Sequence, residues 1–264
     1  MRRPLRTWVV VGVILVVIGL CTGFGYTLHE FGQTFADLNL GNVPVDRSAA
    51  RRVGRDPGTI TLVAVSKTVP VERLQEAVAC GCQVFGESRV QEALAKIGVL
   101  KDVPGLEWHL IGPIQSNKAK SVVGRFSLLH AVDRLEVAER LDCAARERGI
   151  VQPVLLEVNV AGEATKHGFT PDDLARAAER MGALSGLRVL GLMMIPPLSD
   201  HPEEARPHFR RLCHLAATVE ALKIPGVSMK ELSMGMSGDF EVAVEEGATM
   251  VRIGTALFGP RPAA

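Results

Sequence analysis

The chain has 264 residues, 30 Lys and Arg against 29 Asp and Glu, and a formal net charge of +1. That balance excludes a general nucleic-acid surface, and 47% hydrophobic with 22% charged residues excludes a disordered chain. The length fits one large α/β domain or two small ones, and five cysteines with no C-x-x-C pair read as reduced thiols rather than a disulfide framework.

The mean hydropathy of +0.19 has a local source. Residues 7–28 carry no charge, and the run from Trp8 to Leu20 is almost wholly aliphatic behind Arg2, Arg3 and Arg6. This predicts a transmembrane or signal-anchor segment within residues 1–28, with a cleaved secretory signal as the rival. Leu20 stands where a lipoprotein signal would need a small residue before Cys21. Residues 29–58 read as a linker, with a short helix near residues 47–53.

From residue 59 onward, β-rich runs alternate with amphipathic stretches. Residues 59–65 form a buried strand that ends in Ser66-Lys67, and residues 71–80 a helix. A strand over 83–85 leads to a helix over 88–97. The strand 106–111 runs into Gly112-Pro113 and a helix from about Ser116. Strand 127–132 precedes a long helix over 134–148, closed by Gly149. Strand 154–160 precedes a helix over 171–184 with Pro171 at its start. Strand 187–194 stops before Pro196-Pro197 and a helix over 203–222. The last units are strand 229–232, helix 239–246 and strand 249–253, followed by a helical turn at Gly254-Thr255. Strands alternating with helices imply parallel pairing through right-handed crossovers. Eight such units in residues 59–264 predict a single (β/α)8 TIM barrel. A doubly wound open sheet is the alternative, but no G-x-G-x-x-G follows the first strand.

In a barrel, reactive groups come from the C-terminal ends of strands. Lys67 closes a strand of apolar and hydroxyl residues, and alternation puts it on one face with Thr61, Val63 and Val65. A desolvated lysine there would be a nucleophilic amine; an ordinary surface lysine is the competing reading. The Gly-rich turns 233–238 and 254–255, after the seventh and eighth strands, can cradle a phosphate through backbone N–H groups and the hydroxyls of Ser233, Ser237 and Thr255. Arg252 lies inside the last strand, so it needs a ligand group or an ion-pair partner such as Glu157. Lysine, phosphate cradle and arginine together suggest pyridoxal phosphate, held as a Schiff base, with an arginine that leaves the pyridine nitrogen unprotonated.

The runs VAVSKT (63–68), FGE (85–87), WHLIGPIQSNK (108–118), GLMMIP (191–196), LSMGMS (232–237) and MVRIGTA (250–256) closely resemble the pyridoxal-phosphate homeostasis proteins, the YggS/PROSC-like family. The resemblance covers about residues 55–260. It implies a barrel of the alanine racemase N-terminal type over 59–264 and a cofactor site of Lys67, Ser88, His109, Ser233, Ser237, Arg252, Gly254 and Thr255. Within it Lys67 carries the Schiff base, Ser237, Gly254 and Thr255 hold the phosphate, and Arg252 faces the pyridine nitrogen. Lys166 matches a second family lysine near the mouth. The chain departs from the family in carrying Ser88 where Asn is usual, and in keeping only residues 48–54 of a longer leading helix.

The implied role is a non-catalytic carrier in intracellular pyridoxal-phosphate homeostasis, with apo forms of enzymes that use the cofactor as expected partners. An amino-acid racemase is the alternative. It needs an acid/base group on each face of the substrate carbon, and the single tyrosine, Tyr26, lies in the apolar leader. His109 reads as packing on the cofactor or bonding a carbonyl rather than as a base. No nucleic-acid partner and no metal site are expected, since Cys80-Gly81-Cys82 is too tight for a zinc pair. A monomer is expected. The family and the unpaired cysteines place the barrel in the cytoplasm, whereas the basic flank of the apolar segment, with Glu30 and Asp37 beyond it, places it outside.

Overall fold

A computed structural model describes residues 47–163 and 165–259. The apolar segment 7–28, Tyr26, Cys21 and linker residues 29–46 lie outside the described residues. Among the described residues no helix is long and apolar enough to cross a membrane.

Short β-rich runs, apolar on both faces, form the strands. They are β1 (Thr61–Val65), β2 (Val84–Glu87), β3 (Glu107–Leu110), β4 (Leu128–Val132), β5 (Gln152–Glu157), β6 (Leu187–Met193), β7 (Val227–Ser233) and β8 (Met250–Ile253). Each pairs in parallel with the next. The pairs Thr61 to Met250 and Ala64 to Ile253 join β8 back to β1 and close the barrel in chain order. Parallel neighbours need crossovers, which helices supply. In order, the helices are α1 (Arg47–Arg52), α2 (Val71–Ala79), α3 (Val90–Val99), α4 (Ala119–Val122), α5 (Leu135–Glu147), α6 (Leu174–Gly182), α7 (Arg206–Ala221), α8 (Phe240–Glu245) and α9 (Thr255–Phe258). The eight-stranded barrel expected from the alternation is therefore the observed fold, and among the described residues no doubly wound sheet forms.

Packing divides into two cores. The larger lies between strands and helices. Along α5, Val137, Ala138, Leu141, Ala144 and Ala145 form one buried stripe at helical spacing; α6 buries Leu174, Ala177, Ala178 and Met181 in the same way. The smaller core fills the barrel with Val63, Leu128, Ala131, Leu155, Met193 and Met250. Gly86 belongs to this interior, where a Cβ would come within 2.7 Å of Val63 Cγ1. Only glycine lets β1 and β2 keep that spacing.

Several boundaries differ from the sequence expectation for local reasons. Regular helix begins at Leu174 rather than Pro171, because the Asp173 N–H is taken by Thr170 Oγ1 (3.2 Å) in a preceding turn. The segments starting at Ser116 and Pro202 open as 3-10 turns before α4 and α7. The largest difference concerns the expected linker. Its last part, residues 47–58, is docked on the barrel: Ala49 and Ala50 are fully buried. Arg52 pairs with Glu245 (2.9 Å) and Glu241 (3.1 Å) of α8. The Arg55 guanidinium donates to the Val244 and Ala248 carbonyls. The four described cysteines form no disulfide.

Candidate functional site

The expected site residues lie at or just beyond the C-terminal ends of β1, β2, β7 and β8, with His109 inside β3. Lys67 is half-buried in the turn that follows β1. Its neighbours are pinned. The Ser66 N–H donates to the Gly86 carbonyl, and its Oγ donates to Glu87 Oε1 at 2.7 Å. The Thr68 N–H donates to Glu92 Oε1 at 2.6 Å, which holds Thr68 at φ +64°, an uncommon conformation for a β-branched residue.

The ammonium of Lys96, on α3, unites this cluster. It donates to the Ser66 carbonyl (2.6 Å), Glu87 Oε1 (2.8 Å) and Glu92 Oε1 (2.6 Å). Burial raises the Glu87 carboxyl above its ordinary range, although Lys96 and Ser66 oppose the shift. Glu92 is less buried. Desolvation raises it, but the bonds from Lys96 and the Thr68 amide outweigh that and hold it below the ordinary range. Sequence reading missed Lys96, because a lysine in a helix normally marks the solvated face.

Arg252 is buried on β8. In place of an ion pair with Glu157, it donates to two neutral oxygens, Ser233 Oγ (2.6 Å) and the Met194 carbonyl (2.8 Å). Burial lowers its pKa to about 10, so the guanidinium stays charged at neutral pH. Ser233 Oγ also contacts His130 Nδ1 at 2.9 Å, and His130 Nε2 contacts His109 Nδ1 at 3.0 Å. Three expected residues, Arg252, Ser233 and His109, are thus joined through a fourth, His130, that the sequence did not single out. In the run Leu128-Leu129-His130-Ala131-Val132 the imidazole reads as one polar residue within a core strand.

The turns after β7 and β8 meet at Ser237. Its Oγ accepts the N–H groups of Gly254 and Ala256, each at 3.3 Å. Gly235 sits at φ +91°, where a Cβ would come within 2.5 Å of Ala243 Cβ. Its carbonyl receives the Arg252 N–H, so the cradle and the arginine share one backbone frame. A Cβ on Gly254 would lie 3.4 Å from Val65 Cβ, which sets this turn against the end of β1, two residues before Lys67. Thr255 is exposed, and Ser88 is half-buried just past β2. Lys166 pairs with Glu163 at 2.6 Å, and its Nζ lies 3.5 Å from the Ile195 carbonyl.

The family model for the alanine racemase N-terminal domain matches residues 48–262. A pyridoxal phosphate homeostasis protein of Aquifex aeolicus is 48% identical over 215 residues, covering 81% of this chain and 93% of that protein. One from Pseudomonas aeruginosa is 47% identical, covering 81% and 90%. The chain belongs to the pyridoxal phosphate homeostasis protein family. The solved structure of PipY from Synechococcus elongatus with PLP bound superposes with a TM-score of 0.71. It is 41% identical, over 81% of this chain and 99% of that one. D-threonine aldolase from Filomicrobium marinum, at 18% identity and a TM-score of 0.65, shares the fold alone. Membership agrees with the motifs that carried the resemblance, and the match to the family model begins at Ser48, within the docked segment.

Proposed function

We propose that this member of the homeostasis family binds pyridoxal 5'-phosphate as a non-catalytic carrier, holding it as a Schiff base on Lys67. One observation carries the reading: a cluster of N–H and O–H donors at Ser237, Gly254 and Ala256 abuts the end of β1 that leads to Lys67. The residues fit the cofactor's chemistry. Ser237 offers its hydroxyl hydrogen to an anion at the point where the Gly254 and Ala256 N–H groups converge, Thr255 adds a hydroxyl at the rim, and Lys67 supplies an amine in the turn after β1. When bound, pyridoxal phosphate supplies the aldehyde with which such an amine condenses.

Arg252 is suited to face the pyridine nitrogen. It is a permanent donor with its counter-bonds made to neutral oxygens, so it cannot protonate that nitrogen as an acid would. His109 and Ser233 support it from within the barrel, and Ser88 borders the mouth. A racemase would need a proton-transfer group on each face of a substrate carbon. The imidazoles nearest the arginine are bonded to each other instead.

The test is visible absorbance of the full chain after incubation with pyridoxal phosphate. Absorbance that borohydride abolishes in the wild type and that is missing in Lys67→Ala supports the assignment; absorbance retained in Lys67→Ala overturns it. Robust turnover of single-enantiomer amino acids would overturn the non-catalytic reading. The same proposal includes a monomer that delivers the cofactor to apo enzymes in the cytoplasm. The apolar run 7–28 is proposed as a single-pass anchor; a tagged full-length chain found wholly in the soluble fraction would refute it.

A further inference from the structure

A series of polar contacts crosses the barrel interior from β8 to β3. It runs from Arg252 Nη1 to Ser233 Oγ (2.6 Å), to His130 Nδ1 (2.9 Å), and from His130 Nε2 to His109 Nδ1 (3.0 Å). His109 Nε2 then lies 3.7 Å from Glu107 Oε2. The first four residues are buried. Glu107, the first residue of β3, has a side chain 59% exposed.

The direction of these bonds follows from what each group can donate. Arginine only donates, so Ser233 Oγ accepts from Arg252. The Ser233 hydroxyl hydrogen is itself buried, and its acceptor among the described residues is His130 Nδ1. Leaving it unbonded would cost about 1–3 kcal/mol. His130 Nδ1 must then accept, which puts the ring hydrogen on Nε2 and aims it at His109 Nδ1. The same logic puts the His109 hydrogen on Nε2, directed at Glu107. A second ring proton on His130 would set two donors against each other. Burial, with His109 and Arg252 adding to it, depresses the His130 pKa well below the usual imidazole value, in keeping with a neutral ring.

We propose that His130 and His109 are positioning residues: as neutral Nε2–H imidazoles they fix the hydrogen-bond direction through the barrel, Glu107 at the solvent end sets that direction, and Ser233 thereby offers Arg252 only lone pairs. This rests on the reading of Arg252 as the group that faces the cofactor ring. The charged groups around the series are Glu107 on β3, whose carboxyl the His109 ring holds below its ordinary range, and Glu157 and Asp239, both of which act on Arg252. Asp133, after β4, acts on Glu157. Glu107 is the one that approaches the histidines, with Oε2 3.7 Å from His109 Nε2. A donor at that position would reverse the series. His109 would carry its hydrogen on Nδ1, His130 would do the same, and the Ser233 hydroxyl would lose its acceptor and turn toward the mouth.

The experiment is nitrogen-15 NMR of the imidazoles in the full chain without added cofactor, at neutral pH. The expected result is Nε2–H on both His109 and His130 in the wild type and in Glu107→Gln, which still offers an acceptor. Glu107→Lys, which offers only donors, is expected to move the His130 hydrogen to Nδ1. After pyridoxal phosphate is added, Glu107→Lys should shift the visible absorption maximum and Glu107→Gln should leave it in place. Nδ1–H on His130 in the wild type, or an unchanged tautomer in Glu107→Lys, overturns the proposal. A wild type that takes up no pyridoxal phosphate would instead overturn the functional reading, and the ligand-free tautomers would still decide this one.

Discussion

Around Lys67 the backbone is held by charge. Lys96, Glu87 and Glu92 meet within hydrogen-bond distance, and two of the three side chains are nearly inaccessible. Around Ser237 the backbone is held mostly by neutral groups, one hydroxyl and two amides, with a single carboxylate, Asp239, accepting the Met236 N–H at 2.6 Å. The difference matches what each side would hold. A bare carboxylate beside the cradle would repel an anion; Asp239 is instead buried, which raises its carboxyl above the ordinary range, although the Met236 N–H and Arg252 oppose the shift. Beside the amine, Lys96 balances one of the two carboxylates and burial raises the Glu87 carboxyl above its ordinary range, so the turn is rigid with at most one uncompensated negative charge near Lys67. Rigidity by buried ions is the costlier device, because each ion depends on the others staying in place.

The sharpest way to break this comparison is Lys96→Met. It leaves Glu87 buried and uncompensated, and a loss of about 3–5 kcal/mol is expected in urea unfolding. Adding Glu87→Gln should recover part of the loss. A loss under about 1 kcal/mol would mean that the charge cluster does not hold the turn.

Next in size is the effect on cofactor affinity. Ser237→Ala removes the hydroxyl on which the cradle's donors converge. It should weaken pyridoxal phosphate binding by about tenfold, or about 1.4 kcal/mol. Pyridoxal without its phosphate should bind equally to variant and wild type. Equal losses for both ligands would place Ser237 outside the phosphate site.

Acid stability distinguishes the charged cluster beside Lys67 from the buried histidine that contacts Ser233. His130 has a folded pKa below its unfolded value of about 6.5, so its contribution is present above that value and is lost as pH falls. Glu92, also lowered on folding, loses its contribution at more acidic pH, as pH falls through its folded value. Glu87 is raised, so its contribution is present at low pH and lost as pH rises through its folded value. The charged side therefore responds in both directions, whereas the interior histidine responds in one. Thermal melts on descending from neutral pH toward pH ~5 should show a stability loss that His130→Gln reduces; an unchanged slope would contradict a neutral buried His130.

The smallest effect belongs to neither side. Arg206 bridges Glu203, Glu245 and Glu246 on the outer surface. Arg206→Ala should cost about 1 kcal/mol or less, and added salt should diminish the difference. A larger, salt-independent loss would mean that this cluster is structural in the way the Lys96 cluster is.

The barrel was legible because period and punctuation agreed. Each β-rich run ends in Gly, Pro or a helix start, and parallel closure follows once eight units are counted. The groups at strand ends were legible because chain order alone puts Lys67 after the first strand and the Gly-Ser turns after the last two. Contacts made inside the barrel or through a helix were hidden. His130 shares a face with core residues, and Lys96 looks solvated until α3 folds over the β1 turn. The protein contacts of Arg252 were hidden too: by charge Glu157 is the natural candidate for an ion pair, but the bonds go to Ser233 on β7 and to the Met194 carbonyl just past β6. The docking of residues 47–58 was hidden because small residues such as Ala49 and Ala50 give weak periodicity even when fully buried.

The most direct measurement of the central claim is peptide mapping of the full chain after incubation with pyridoxal phosphate and reduction with borohydride. The account predicts the reduced pyridoxyl mass on the peptide that bears Lys67, and no such label in Lys67→Ala. Label confined to Lys166 or another lysine, with Lys67 unmodified, would contradict it.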